Sequence, residues 1–105
     1  VSKDNKNVVL DIDNVRIIRN DPLNLSVERL ESSYSTKHKK EVSSYRFKGY
    51  YSNILKAVQA IQSKELLINE KSITDLKSYL EQVQESNDKL YEAVERISEH
   101  KLYNK

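Results

Sequence analysis

From Ser72 to Lys101 one spacing governs the chain. Ile73, Leu76, Leu80, Val83, Asn87, Leu90, Val94, Ile97 and Lys101 recur at alternating intervals of three and four, and only Asn87 and Lys101 are polar. Such a narrow seam on a helix requires another helix against it. At 1.5 Å per residue the helix would be roughly 45 Å long, more than a small domain needs for its own core. Ser72 followed by Asp75 resembles a capping box at its start. Ser86-Asn87-Asp88 is its weakest point, because all three side chains compete for backbone hydrogen bonds; one continuous helix is still expected. Leu80, Val83, Asn87, Leu90, Val94 and Ile97 are the candidate helix-interface residues. Asn87 is either a buried amide that fixes register and partner number or a wet position where the helix surfaces. Tyr79, Tyr91 and Tyr103 drift around the helix and widen its apolar face.

The rest of the chain reads as a small sheet followed by one shorter helix. Residues 1–7 are polar and unpatterned, a tail or linker. Val8, Leu10 and Ile12 alternate as a strand, Asp13-Asn14 is a turn, and Val15 to Arg19 is a second β-branched run. Asn20-Asp21-Pro22 punctuates the chain, and Leu23, Leu25 and Val27 alternate as a third strand. Leu30 falls out of phase, which predicts a bulge or a twist. Ser32 to Lys40 is a polar excursion, and Glu41 to Lys48 is a fourth strand with Tyr45 and Phe47 facing the core. Gly49, the only glycine, sits where that strand must turn. Helix one is expected over 52–68, N-capped by Ser52, with Ile54, Val58, Ile61 and Ile68 on its inner stripe and Asn69 ending it.

The expected fold class is therefore α+β: a three- to four-stranded antiparallel sheet over 8–48, one helix packed across it, and a long heptad-patterned C-terminal helix over 72–101, together a single domain from 8 to 105. The two helices should form an antiparallel hairpin that leaves part of the seam for a second copy or another protein.

Composition removes several classes of function. There is no cysteine, so no disulfide or thiolate site exists. A net charge of +2 is too basic for an acidic nucleic-acid mimic and too balanced for a general nucleic-acid coat. No hydrophobic run approaches the length of a membrane span, so the chain reads as soluble and without membrane partners. Methionine is absent even at position 1, which reads as a processed product or a fragment of a longer protein. Asp11 and Asp13 share a strand face, but two carboxylates without further ligands read as a solvated edge and not as a Mg²⁺ site. His38 and His100 have no companion at ligand spacing, so neither a metal nor any cofactor is expected. No serine lies in a nucleophile elbow, and no enzyme activity is expected.

The uneven charge lies in 32–50, where Lys37, Lys39, Lys40, Arg46 and Lys48 oppose only Glu41, with His38 in reserve. Tyr34, Tyr45, Phe47, Tyr50 and Tyr51 are interleaved with them. Cations among aromatics can track a nucleic-acid backbone or anchor on an acidic protein surface. The plain alternative is a solvated loop tip beside two core aromatics. Tyr34, Lys37, His38, Lys39, Lys40, Arg46, Lys48, Tyr50 and Tyr51 are thus the candidate partner-binding residues.

The order of elements resembles a group of small, poorly characterised phage and prophage proteins. The likeness rests on Ile18-Arg19-Asn20-Asp21-Pro22-Leu23-Asn24-Leu25, Lys40-Glu41, Gly49-Tyr50-Tyr51-Ser52 and Ser72-Ile73-Thr74-Asp75-Leu76, and spans about residues 8–97. The chain departs in a longer hairpin around 32–40 and a long extension of the final helix. The resemblance implies no catalytic residues. It implies a phage setting, in the cytoplasm of an infected bacterium, where small proteins without active sites block host defence nucleases such as Cas9; anti-CRISPR proteins are the best-known such class. The expected function is accordingly a protein-binding inhibitor. The alternatives are a nucleic-acid-binding module using the basic hairpin 34–48, or an oligomerisation domain acting through helix 72–101.

Overall fold

A computed structural model describes residues 7–103, and the side chains of 7–97. The chain is α+β, with four antiparallel strands in the order β1-β2-β3-β4 and two helices on one face of the sheet. β1 spans Asn7–Ile12, β2 Val15–Asp21, β3 Asn24–Ser35 and β4 Lys40–Tyr51. The short helix α1 spans Ile54–Ser63 and the long helix α2 spans Leu76–Tyr103, with a single 3₁₀ turn at Glu70–Ser72 between them. Of the expected tail, Asn7 opens β1, and the remainder lies outside the described residues.

Each hairpin is closed by residues suited to its turn. Asp13 takes a positive φ of 52° in the two-residue β1–β2 connection, as the right-handed twist of a tight hairpin demands. Leu23, expected inside the third strand, instead sits exposed in the β2–β3 turn, held by a 2.8 Å bond from its N–H to Asp21 Oδ1. Asn24 Nδ2 also donates to that carboxylate, and these donors hold the Asp21 carboxyl below the usual aspartate range.

β3 and β4 are longer than the sequence suggested. The residues expected as a polar excursion continue the ladder to Ser35 opposite Lys40. β2 accompanies β3 only as far as Arg29. From Leu30 outwards the hairpin is therefore a two-stranded ribbon, about 20 Å long at 3.4 Å per residue.

The core lies between the sheet and the helices. Leu10, Ile12, Val15, Ile17, Leu25 and Val27 meet Ala57 and Ile61 of α1, Leu66 of the connection, and Leu90 and Ala93 of α2. α1 covers β3 and β4, and α2 lies over β1. The helices run antiparallel: Ile54 lies near Ala93 and Ile97, and Gln62 Nε2 donates to Asn87 Oδ1 at 2.9 Å.

Both helix boundaries shift inward from the expected ones. Asn53, not Ser52, caps α1, accepting from the Lys56 N–H at 2.8 Å. α1 stops at Ser63 and not at Ile68 because Glu65 turns left-handed, at φ 54°. The Glu65 N–H then bonds the Gln62 carbonyl and the Leu66 N–H the Ile61 carbonyl, while buried Leu66 rests in the same core as Ile61. This is a Schellman ending with glutamate where glycine is usual. Asn69 instead caps the 3₁₀ turn, and Gln82 clamps its backbone through two bonds of 2.7 and 3.1 Å. The capping box of α2 exists but uses Asp75 and Ser78: Ser78 N–H donates to Asp75 Oδ1 at 2.8 Å, and Ser78 Oγ accepts from the Asp75 N–H at 3.1 Å.

α2 is unbroken through Ser86-Asn87-Asp88, but its inward stripe is not the seam read from the spacing. Tyr79, Val83, Ser86, Leu90, Ala93 and Ile97 turn inward, with Ser86, Leu90 and Ala93 buried. Val83, Leu90 and Ile97 belong to both patterns, whereas Leu76, Leu80 and Val94 are exposed. Asn87 is at the surface, bonded to Gln62. Small Ser86 and Ala93 carry no hydrophobic signal, yet Ala93 lies against β1 and Ser86 lies beside the end of α1 and the connection.

Candidate interaction surface

Alternation places every second side chain of the sheet on the face away from the helices. Across β2, β3 and β4, three rows emerge on that outer face: Ile18, Ser26 and Tyr50; Arg16, Glu28 and Phe47; Leu30 and Tyr45. Farther along the ribbon Ser32 faces Ser43, and Tyr34 faces Glu41. Ile18 and Ser26 are buried and floor the face, although Ile18 is no part of the cluster under the helices.

The sequence reading placed Tyr45 and Phe47 in the core, and the structure reverses this. The cause is a bulge in β4, where the register with β3 shifts between Val27–Gly49 and Glu28–Phe47, leaving Lys48 as the extra residue. Gly49 makes the bulge with φ 142°. Phe47 and Tyr50, three apart, then share the outer face, while Tyr51 turns inward onto the core. Phe47 is 55% and Tyr50 66% exposed, and their rings pack with centroids 4.6 Å apart at 57°. Tyr45 is half-buried beneath the Arg16 guanidinium, which lies 3.5 Å above its ring and pairs with Glu28 at 2.8 Å.

At the ribbon tip a turn over 36–39 presents Lys37, His38, Lys39 and Lys40, all exposed. Lys39 supplies the left-handed residue at φ 54°, and the His38 N–H donates to Ser35 Oγ at 3.1 Å. Among the described residues none of these lysines has an ion-pair partner.

The sequence candidates therefore divide. Tyr34 and Tyr50 share the outer face, and Lys37 to Lys40 crown its far end. Arg46 lies on the other face, across from Arg29. Lys48 is half-buried and held by Glu31 at 2.8 Å; that bond, with Arg29 nearby, lowers the Glu31 carboxyl below the usual range. Tyr51 is fixed by Lys64 Nζ, which bonds its hydroxyl at 3.1 Å and the Lys48 carbonyl at 3.1 Å. Phe47, Tyr45, Leu30 and Arg16 join the face without having been expected there. The signal was available: a lone glycine inside a strand pattern marks a bulge, and a bulge inverts the alternation beyond it.

Comparison with known proteins finds no matching family model, no similar curated protein and no similar solved structure. The described residues bring no three His, Cys, Asp or Glu side chains together in a metal-holding group. Among the described residues no helix is long and apolar enough to cross a membrane. Of the concave regions, one lies between β1 and the helices, lined by Val9, Ile54, Ala93 and Ile97. Another, more polar, lies between Arg29, Glu31, Ile68, Lys71 and Gln82.

Proposed function

We propose that the protein is a non-enzymatic binding protein that occludes another protein with the outer face of its sheet. One observation carries this reading: among the described residues nothing covers the outer sheet face, and Phe47, Tyr50, Tyr34 and Leu30 stand exposed on it. Aromatic side chains ringed by polar ones are the usual make-up of a protein-docking patch. The fitting partner surface is apolar at its centre and acidic where Lys37, Lys39 and Lys40 would reach it. The resemblance to small phage proteins adds the setting, an infected bacterium, and the partner class, a host defence nuclease such as Cas9.

Binding of the purified protein to Cas9, measured with the cleavage rate, tests the reading. Phe47→Ala with Tyr50→Ala is expected to weaken the complex at least about thirtyfold, as loss of buried aromatic anchors does. Affinity should weaken far less between low and moderate salt than a phosphate contact would. Undiminished binding by the double variant would remove the face from the mechanism, and no binding by the unaltered protein would remove Cas9 as the partner.

The unpaired lysines at the ribbon tip favour a second reading, a nucleic-acid-binding module. Phosphate contacts through Lys37, Lys39 and Lys40 would make affinity fall steeply, by roughly tenfold or more, over the same salt range. Against it, Phe47 and Tyr50 pack tilted against each other and do not present parallel stacking platforms, and Arg16 is engaged by Glu28.

A further inference from the structure

β4 is an outer strand of the sheet, and among the described residues nothing pairs with its free side. The Leu30 N–H bonds the Asn14 carbonyl at 2.6 Å, so Leu30 directs its backbone toward β2. Direction alternates along a strand, so Arg29, Glu31, Ser33 and Ser35 direct theirs toward β4. Their partners Arg46, Ser44, Val42 and Lys40 complete that ladder. Glu41, Ser43, Tyr45 and Phe47 are left with N–H and C=O groups directed away from the sheet. The segment from Glu41 to Phe47 is roughly 20 Å long at 3.4 Å per residue. It has no proline and no break in register, which shifts only at Lys48 beyond its end. The other free edges are poorer templates. β1 has a register shift inside its six residues, and β3 is free only beyond Leu30, where Ser32 and Tyr34 alone direct backbone groups outward.

We propose that this edge takes up an extended acidic segment of a partner protein as a further strand, joined by backbone hydrogen bonds. The proposal rests on the reading of the outer face as a docking surface, and adds the strand by which the partner is held beside it. Two sets of side chains flank the edge. On the outer face stand Tyr45 and Phe47, with Ser43 and Glu41 toward the ribbon tip. On the opposite face stand Lys40, Val42, Ser44 and Arg46. Lys40 and Arg46 are exposed and have no ion-pair partner among the described residues. Arg46 faces another cation, Arg29, across the ladder, and the neighbouring acid Glu31 is already held by Lys48 and Arg29. A strand laid along the edge alternates in the same way. It places apolar side chains against Tyr45 and Phe47 and carboxylates against Arg46 and Lys40.

The same charges reject the other occupants. A second copy paired antiparallel along the whole segment would set Glu41 opposite Phe47 and Lys40 opposite Lys48, cation on cation at both ends of the contact. Lys40, Arg46 and Lys48 against Glu41 give each edge an excess of positive charge, a common guard against edge-to-edge pairing. Neither end of the chain supplies an acidic segment, since residues 1–6 hold two lysines and one aspartate, and residues 98–105 two lysines and one glutamate.

Titration of the full chain with an end-blocked peptide of alternating valine and glutamate, long enough to line residues 40–47, tests the proposal, with the valine–lysine peptide as control. The glutamate peptide is expected to bind at least about tenfold more tightly and to slow amide exchange at Ser43, Tyr45 and Phe47. Ser43→Pro removes an outward N–H and no ladder bond, giving up only an exposed hydroxyl bond to Ser32 at 2.8 Å. It should keep the fold and weaken binding at least about tenfold. Ser44→Pro, whose N–H points into the ladder, should instead lower the thermal midpoint. Arg46→Glu should weaken the glutamate peptide roughly tenfold and strengthen the lysine peptide. Equal binding of both peptides, no binding of either up to millimolar concentration, or indifference to both Ser43→Pro and Arg46→Glu overturns the proposal. Should Ser43→Pro fail to fold, Arg46→Glu decides alone. Binding lost on changing Phe47 and Tyr50, with Ser43→Pro and Arg46→Glu without effect, would keep the outer face as the docking surface and overturn the edge. The reverse pattern would support the edge and remove the aromatic face from the contact.

Discussion

Gly49 is the residue on which the outer face turns. At φ 142° its backbone is one that side-chain-bearing residues rarely adopt, and an added Cβ would lie 2.7 Å from the Tyr51 hydroxyl and 3.0 Å from its ring. Tyr51 cannot swing away freely, being packed on the core and tied to Lys64. Gly49→Val is therefore expected to destabilise the fold by about 2 kcal/mol, read as a lower urea midpoint. An unchanged midpoint would mean that the bulge is not needed. At the opposite sheet edge, Lys89 Nζ reaches Asp13 Oδ2 at 2.6 Å, which raises the lysine above its ordinary value of 10.5. A raised folded-state value means that this contribution is complete below the ordinary lysine range and fades as pH climbs through the raised one. Both groups are about half exposed, so Asp13→Asn, which keeps the left-handed turn, should cost only about 0.5 kcal/mol near neutrality. The deficit should narrow above pH 10.5; a gap that persists would assign the loss to the turn.

At the scale of elements, α2 separates two apolar stripes that the spacing merged into one. Leu90 is buried among β1, α1 and the connection, so Leu90→Ala should cost about 3 kcal/mol of stability. Leu80→Ala, at an exposed position, should change the stability of the monomer by less than about 0.5 kcal/mol. Equal losses in thermal or urea unfolding of dilute protein would mean that the helix is rotated from the orientation described. The length and continuity of α2 were legible because four heptads of period three and four have no other reading. Its rotation was not, because Ser86 and Ala93 give no hydrophobic signal and their burial is decided by closeness of approach. The strands were legible in number for the same periodic reason, and two of their turns showed in Asp13-Asn14 and Asp21-Pro22, whereas Gly49, expected as a turn, is a bulge inside a strand that runs on to Tyr51. The end of α1 was hidden by Glu65, whose left-handed backbone no propensity announces. The ribbon was hidden by serines, which disguise a strand whose two sides are both wet. The site suffered most from the bulge, since one extra residue exchanged Phe47 with Tyr51 between core and surface.

As a whole the protein measures 47 × 42 × 20 Å, a plate two layers thick. Its broad sides differ in kind: aromatic strands on one, leucine-bearing helices on the other. In so thin a body β2 and β3 have hydrophobic backing on a single side, and their amides are one side chain from bulk water. Anything that settles on the bare side becomes in effect a third layer, converting an open-faced sheet into a sandwich filling. Amide hydrogen exchange along the middle strands would then slow even at peptides that nothing touches, so recognition and rigidity in this chain are the same event seen from two sides.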